Sequence, residues 1–567
     1  MYSEDNITRD FIRPPTSTRA LPSFSRSQQW RRRRLRYSLN SALDRVNVLG
    51  GDGSGHTGCV NALSWAQDGE LLISSGDDTQ IRVWRMNPST SNTQADGEIN
   101  EYPFICQSVI HTGHSQNIFN AQMLPYSTRI ATAAGDKQIR VFDIGEAVGR
   151  SPTGDEMIYN TRQSCLRVLR CHTGRTKRIV TEDSPDLFLT VAEDGEVRQH
   201  DLRTPHVCSS GGCSAPLVKL PHELSTITLS PLSPYQFVVG GESPYAHLFD
   251  RRHAGRYLHA EWGVPVAEES VTTCVRRFGR RSRARGERKG YEHITGARMS
   301  PWNGHEVAYS SDAVYLYSTR DVPEDRETAS RSPSRSAALP NPKRRKIERS
   351  SQLPESDTKI LAREEPSIMV DGTDEDPDDS MDDSDEGSND DSSEAEEAEP
   401  MMDRVLIHEK IPIIYPRSRF AGHCNIETVK DVNFLGPQDE YVASGSDDGN
   451  FFIWKKSNGN ILNVLEGDGN VVNVIEGHPH LPLIAVSGID TTVKLFAPTH
   501  GLPEFSRMHK VQSVMKRNAR TSRRGLHTTE MELAHLVLHY DRALQALRSA
   551  EDGGSVEATP LTECINQ

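Results

Sequence analysis

His56, Ser74 and Asp78 are the residue types of a nucleophilic relay, in which a carboxylate orients an imidazole that activates a hydroxyl. The same three types recur at fixed distances from a closing position occupied in turn by Trp84, Phe142, His200 and Trp454. Six residues before that position stand Asp78, Asp136, Asp194 and Asp448, and ten before it Ser74, Thr132, Thr190 and Ser444. His56, His114, His172 and His423 precede it by 28 to 31 residues. A catalyst needs one such constellation, and four copies argue for a repeated structural role. A His–Asp bond, extended by a hydroxyl and an indole N–H, would pin a turn to the loop entering a small sheet. Each bond contributes about 1 kcal/mol net, and more is lost when one partner stays buried and unpaired.

The elements that must hold these groups are short strands. Gly55–Trp84, Gly113–Asp143, Cys171–Asp201 and Gly422–Trp454 each contain three strand-like runs separated by tight turns such as Asp77-Asp78 and Asp447-Asp448-Gly449. This arrangement resembles the WD repeat, in which the four groups form a buried hydrogen-bonded tetrad. Three degenerate copies follow the same rhythm. One ends at Phe249-Asp250, with Ser243 and Val239 in place of the Asp and the hydroxyl. Another runs from His293 to Ser318, and the last, Gly467–Phe496, keeps Asp490 but has Asp468 where the His belongs. Seven units imply an all-β, seven-bladed propeller, with a strand near Arg45–Leu49 closing the ring against the last blade. The expected organisation is an N-terminal arm (1–44), blades 1–5 (45–320), an insertion (321–404), blades 6 and 7 (405–498) and a partly helical tail (499–567).

Composition narrows the function. The chain has 567 residues and a net charge of −14. Sixteen acidic residues and no Lys or Arg lie between Asp371 and Glu399, so the remainder is close to neutral. A whole-surface attraction for nucleic acid is therefore not expected. The insertion is Ser/Pro-rich, then acidic, with few aromatics, a composition that cannot build a core. Within it, Lys343, Arg344, Arg345 and Lys346 form a compact nuclear-import type cluster. The expected location is the nucleus, with the cytoplasm open as a second site. A further basic stretch, Gln29–Leu39, is helix-permissive, and Arg276–Arg285 adds a third. No apolar run reaches the ~18 residues of a membrane helix, and the N-terminal segment lacks the apolar core of a secretory signal. Nine cysteines without a CxxC pair predict ordinary reduced thiols and no metal site; Cys171-His172 and the pair Cys208/Cys213 are too isolated to suggest otherwise. No GxSxG, GxxxxGK[ST] or HExxH motif is present, so neither an enzyme, a cofactor nor a small-molecule substrate is expected. From Thr528 an apolar face at helical spacing runs through Leu547. Val511, Gln512 and Lys516 partly match an IQ motif, but Arg517 and Thr521 break it, and calmodulin is not an expected partner.

Two repeats end in a second pattern. His200-Asp201-Leu202-Arg203 and Phe249-Asp250-Arg251-Arg252 read aromatic-Asp-x-Arg in consecutive units, with His200 standing where an indole is usual. Together with runs such as SSGDDTQIRVW, GHSQNIFNAQMLP, HITGARMSP and YVASGSDDGNFFIW, these boxes resemble the WD-repeat cullin-4/DDB-associated factor group, which includes nuclear receptor interaction protein and its fungal relatives. The resemblance implies that Asp201, Arg203, Asp250 and Arg252 meet the DDB adaptor of a cullin-4 RING ubiquitin ligase. The chain would then act as the substrate receptor for an unidentified protein target. The alternative is a nuclear scaffold, or a chromatin or transcription cofactor, acting without a ligase.

Overall fold

A computed structural model describes residues 35, 39–51, 53–87, 102–145, 156–206, 208, 213–253, 274–280, 293–323, 411–426, 428–499 and 501–524. Its strands form seven sheets, antiparallel except for one added parallel strand on each of two of them. Within each sheet we letter the strands a to d from the inside of the ring outward. Blade 1 comprises Val60–Ala66, Leu71–Gly76, Gln80–Met86 and Phe104–His111, and blade 2 Ile118–Met123, Arg129–Ala134, Ile139–Asp143 and Cys165–Leu169. Blade 3 has Thr176–Thr181, Leu187–Ala192, Glu196–Asp201 and a two-residue outer strand, Val218–Lys219. Blade 4 has Leu224–Leu229, Gln236–Gly241, Ala246–Asp250 and Cys274–Phe278. Blade 6 comprises Val432–Leu435, Tyr441–Gly445, Asn450–Lys455 and Ile461–Glu466. The b strands are almost wholly apolar and buried, as in Leu71–Gly76 and Tyr441–Gly445, because both faces of a blade are covered by its neighbours.

The ring closes by a strand borrowed from the start of the chain. Leu43–Leu49 pairs antiparallel with Val493–Pro498 as the outer strand of blade 7, inside which lie Ile484–Gly488 and Val472–Gly477. Across the seam to blade 1, Ser487 Oγ donates to the Val60 carbonyl at 2.9 Å and Trp65 Nε1 to that of Glu476 at 3.3 Å. Leu35 and Leu39, four residues apart and helical, are buried against Leu435, Tyr441, Ile484 and Phe496 of blades 6 and 7.

One boundary differs from expectation. Blade 5 contains Gly296–Met299, Glu306–Ser310 and Val314–Ser318, but its outer strand is Ser418–Phe420. Ile413–Ile414 also adds a parallel fifth strand to blade 4. The insertion therefore interrupts blade 5 before its last strand and does not lie between blades 5 and 6. Two- and three-residue strands carry no periodicity that the sequence could reveal. The tail holds a helix at Val511–Arg524, which seats Val514 in the core cluster of Phe452 and Trp454. The import cluster at 343–346, the acidic run and the apolar face after Thr528 lie outside the described residues.

Candidate functional site

The recurring His, Asp and hydroxyl groups meet in three blades. In blade 1, Trp84 Nε1 donates to Ser74 Oγ at 2.8 Å and Ser74 lies 2.7 Å from His56 Nε2. His56 Nδ1 in turn donates to Asp78 at 2.8 Å. The carboxylate accepts only, so Nδ1 carries the proton and Nε2 receives the hydroxyl's. Blade 2 repeats this through His114, Thr132 (2.8 Å) and Asp136 (3.0 Å). In blade 3 His172 bridges Thr190 at 2.8 Å and Asp194 at 3.0 Å, and His200 is the fourth group, bonded to Thr190 at 2.9 Å. His200 thus takes the indole's place in the tetrad. Burial drives its pKa well down, keeping it neutral and able to donate from Nε2. The His172 and Thr173 donors hold Asp194 down to about 2, against the opposing effect of burial.

Blade 6 corrects the expectation of a fourth tetrad. His423 is buried beside Trp454, but neither ring nitrogen has a hydrogen-bond partner among the described residues. Trp454 Nε1 donates instead to the Ala421 carbonyl at 3.2 Å, and Ser444 Oγ to that of Asp431 at 2.9 Å. Asp448 receives the Asn450 amide and Arg517 of the tail helix, both at 3.3 Å. The neighbouring Asp447 pairs with Lys430, which is fully buried. Lys430 of the repeat itself and Arg517 of the tail helix have claimed the carboxylates. Blade 7 inverts the charge pattern, with Lys494 between Asp468 and Asp490, and blade 5 joins Tyr317 to Tyr309 by hydroxyls 2.6 Å apart.

The two boxes share one face. The last residue of each c strand pairs with the first of its b strand, Asp201 with Leu187 and Asp250 with Gln236. Both therefore lie at the end of the ring that carries the a–b loops. Asp201 caps its own turn, accepting the Arg203 amide at 2.9 Å, and it binds that guanidinium two-pronged at 2.9 and 2.7 Å. Asp250 does the same for Arg252, whose guanidinium also lies 3.8 Å above the Tyr235 ring. The arginines hold both carboxyls below the usual carboxylate range. The guanidiniums themselves remain outward, with side chains 63% and 58% exposed. Between the boxes, Arg251 forks onto Glu182 at 2.8 and 3.0 Å, linking blade 4 to the a–b loop of blade 3.

Along the axis, the inner strands enclose a cavity of about 360 Å³ lined by Asn120, Gln122, Arg178, Arg298, Asp431 and Glu476. Arg178 pairs with Asp431 and Arg298 with Glu476. These pairs bridge blades. The expectation of scattered thiols is also corrected. Cys171, His206, Cys208 and Cys213 bring their ligand atoms within 4.8 Å of one another. Thirty-five residues separate Cys171 from His206, and only the packing of blade 3's outer connection against blade 2 unites them.

Seven sheets, repeated tetrads and two loop faces define a WD-repeat β-propeller, an architecture that presents surfaces for other proteins. The family model "WD domain, G-beta repeat" matches residues 48–85, 106–143 and 415–455. The WD repeat protein iqw1 of Schizosaccharomyces pombe is 37% identical over 272 residues, 47% of this chain and 31% of that protein. Human WD and tetratricopeptide repeats protein 1 is 24% identical over 651 aligned positions, covering 87% of this chain and 89% of that protein. Mouse DDB1- and CUL4-associated factor 6 is 28% identical over 272 residues, 47% of this chain and 27% of the mouse protein. The matched part of this chain thus spans about a third or less of iqw1 and of the mouse factor.

Proposed function

We propose that this propeller is the substrate receptor of a cullin-4 RING ubiquitin ligase, docking on the DDB adaptor through Arg203 and Arg252. The observation that carries the reading is the pair of outward guanidiniums, one blade apart on one face, each held in a fixed pose by its own Asp. A planar fork fixed in advance loses little entropy on meeting carbonyls or carboxylates of a partner, and Lys cannot reproduce it. The name of the mouse relative, associated with DDB1 and CUL4, supports the same partner. The target protein would occupy another part of the ring, and the Lys343–Lys346 cluster suggests that it is met in the nucleus.

Recovery of the DDB adaptor and cullin-4 with the tagged chain tests this reading. Interface arginines cost about 2 kcal/mol on truncation, roughly thirtyfold in affinity. Arg203→Ala with Arg252→Ala should therefore leave a folded propeller that recovers neither adaptor nor cullin-4. Adaptor recovery equal to wild type would remove the boxes from the contact. A wild-type chain that recovers none would favour a nuclear scaffold or transcription cofactor acting without a ligase.

A further inference from the structure

We propose that Cys171, His206, Cys208 and Cys213 bind one Zn²⁺ as a closed Cys3His site that fastens the outer edge of blade 3. The four donors come from two parts of the chain. Cys171 follows the outer strand of blade 2 and directly precedes the tetrad residue His172. The other three lie on the connection from the Asp201–Arg203 box to the outer strand of blade 3. Cys171 Sγ is 3.3 Å from His206 Nε2 and 3.6 Å from Cys208 Sγ, and Cys208 Sγ is 3.1 Å from the same nitrogen. Tetrahedral zinc with bonds of about 2.3 Å to sulfur and about 2.0 Å to nitrogen has edges of ~3.8 Å between sulfurs and ~3.5 Å from sulfur to nitrogen. Cys171, His206 and Cys208 lie at or slightly inside those edges, and Cys213 Sγ lies within 4.8 Å of all three. Three soft thiolates and one imidazole, with no carboxylate among them, are the donor set of a structural zinc site.

Two further features fit. The Arg170 amide donates to Cys208 Sγ at 3.1 Å, the kind of N–H···S bond that orients and stabilises a metal-bound thiolate. The fold also has a use for the bond. Blade 3 ends in an outer strand of only two residues, Val218–Lys219. A metal shared with Cys171 ties this edge to blade 2, where Leu169, Cys171 and Phe188 form a common apolar cluster. The site is independent of the ligase reading.

The test uses the full chain, purified without a histidine tag under reducing conditions. Elemental analysis should find about one zinc per chain, and Cys208→Ser with Cys213→Ser should lower that to background. A strong chelator should lower the thermal midpoint of wild type and leave that of the double variant unchanged. Should the variant fail to fold, wild type loaded with Co²⁺ provides the reading, with the intense visible bands of tetrahedral cobalt and near-ultraviolet thiolate charge transfer. Wild type that takes up neither zinc nor cobalt overturns the proposal. So does full zinc content in the double variant, or a Cys171–Cys208 disulfide that persists in the reduced preparation.

Discussion

Two histidines at equivalent positions should respond oppositely to the same substitution. His172 satisfies both ring nitrogens inside a complete tetrad, so His172→Leu strands Thr190 and Asp194 and should cost about 2–3 kcal/mol. His423 has no hydrogen-bond partner to strand among the described residues, and His423→Leu should be neutral or mildly stabilising in chemical denaturation at pH 7.5. Equal losses for the two variants would contradict the assignment. Burial lowers the pKa of His423 to about 4, against about 6.5 in an unfolded chain. Between those values the unfolded chain binds a proton that the folded one refuses, so stability falls as pH drops from 6.5 to 4. Removing the imidazole should recover about 3 kcal/mol of that loss by pH 4, read from urea midpoints across the range. The tetrads of blades 1 and 3 and the His114–Thr132–Asp136 triad of blade 2 were legible in the sequence because their positions lie within one short repeat. His423 was not, because Lys430 and Arg517 alter the electrostatics of the loop without disturbing the spacing of its residues.

At the scale of the element, the residue after each of Asp78, Asp136, Asp194 and Asp448 controls a turn. Thr79, Lys137, Gly195 and Gly449 all have positive φ, at 56°, 64°, 76° and 78°. Only two of the four are glycine, so the turn tolerates a side chain where space allows. At Gly195 it does not, since a Cβ would meet the Leu220 carbonyl oxygen at 2.2 Å. Gly195→Ala should lower stability by more than about 2 kcal/mol, while Lys137→Gly, which relieves a left-handed strain of ~1–2 kcal/mol at some entropic cost, should be near neutral. Thermal midpoints of the two variants check this; a benign Gly195→Ala would mean that the outer connection of blade 3 packs differently. The inner strands of each blade were readable from alternation and turn residues. The outer strands were less so, because Ser418–Phe420 and Val218–Lys219, at three and two residues, are too short to repeat the two-residue alternation of a strand. Their place is set by edge hydrogen bonds to a preformed sheet.

For the whole molecule, the ring's closure and the described core reside within 35–323 and 411–514. Deleting 325–400 should leave cooperative unfolding and a nearly unchanged midpoint, because loop length costs only logarithmically. A broadened transition would mean that the segment supports blades 4 and 5. The chain's role as a docking platform was readable from the repeats, whereas the clustering of its cysteines required the three-dimensional path of blade 3. The central claim, that the face carrying Arg203 and Arg252 meets the DDB adaptor, is most directly tested by hydrogen exchange of the purified chain with saturating adaptor. The account expects slowed exchange in the a–b loops at 182–186 and 230–235 and in the turns at 202–204 and 251–253. Protection confined to the opposite face, around 193–195 and 241–245, or no protection anywhere, would contradict it.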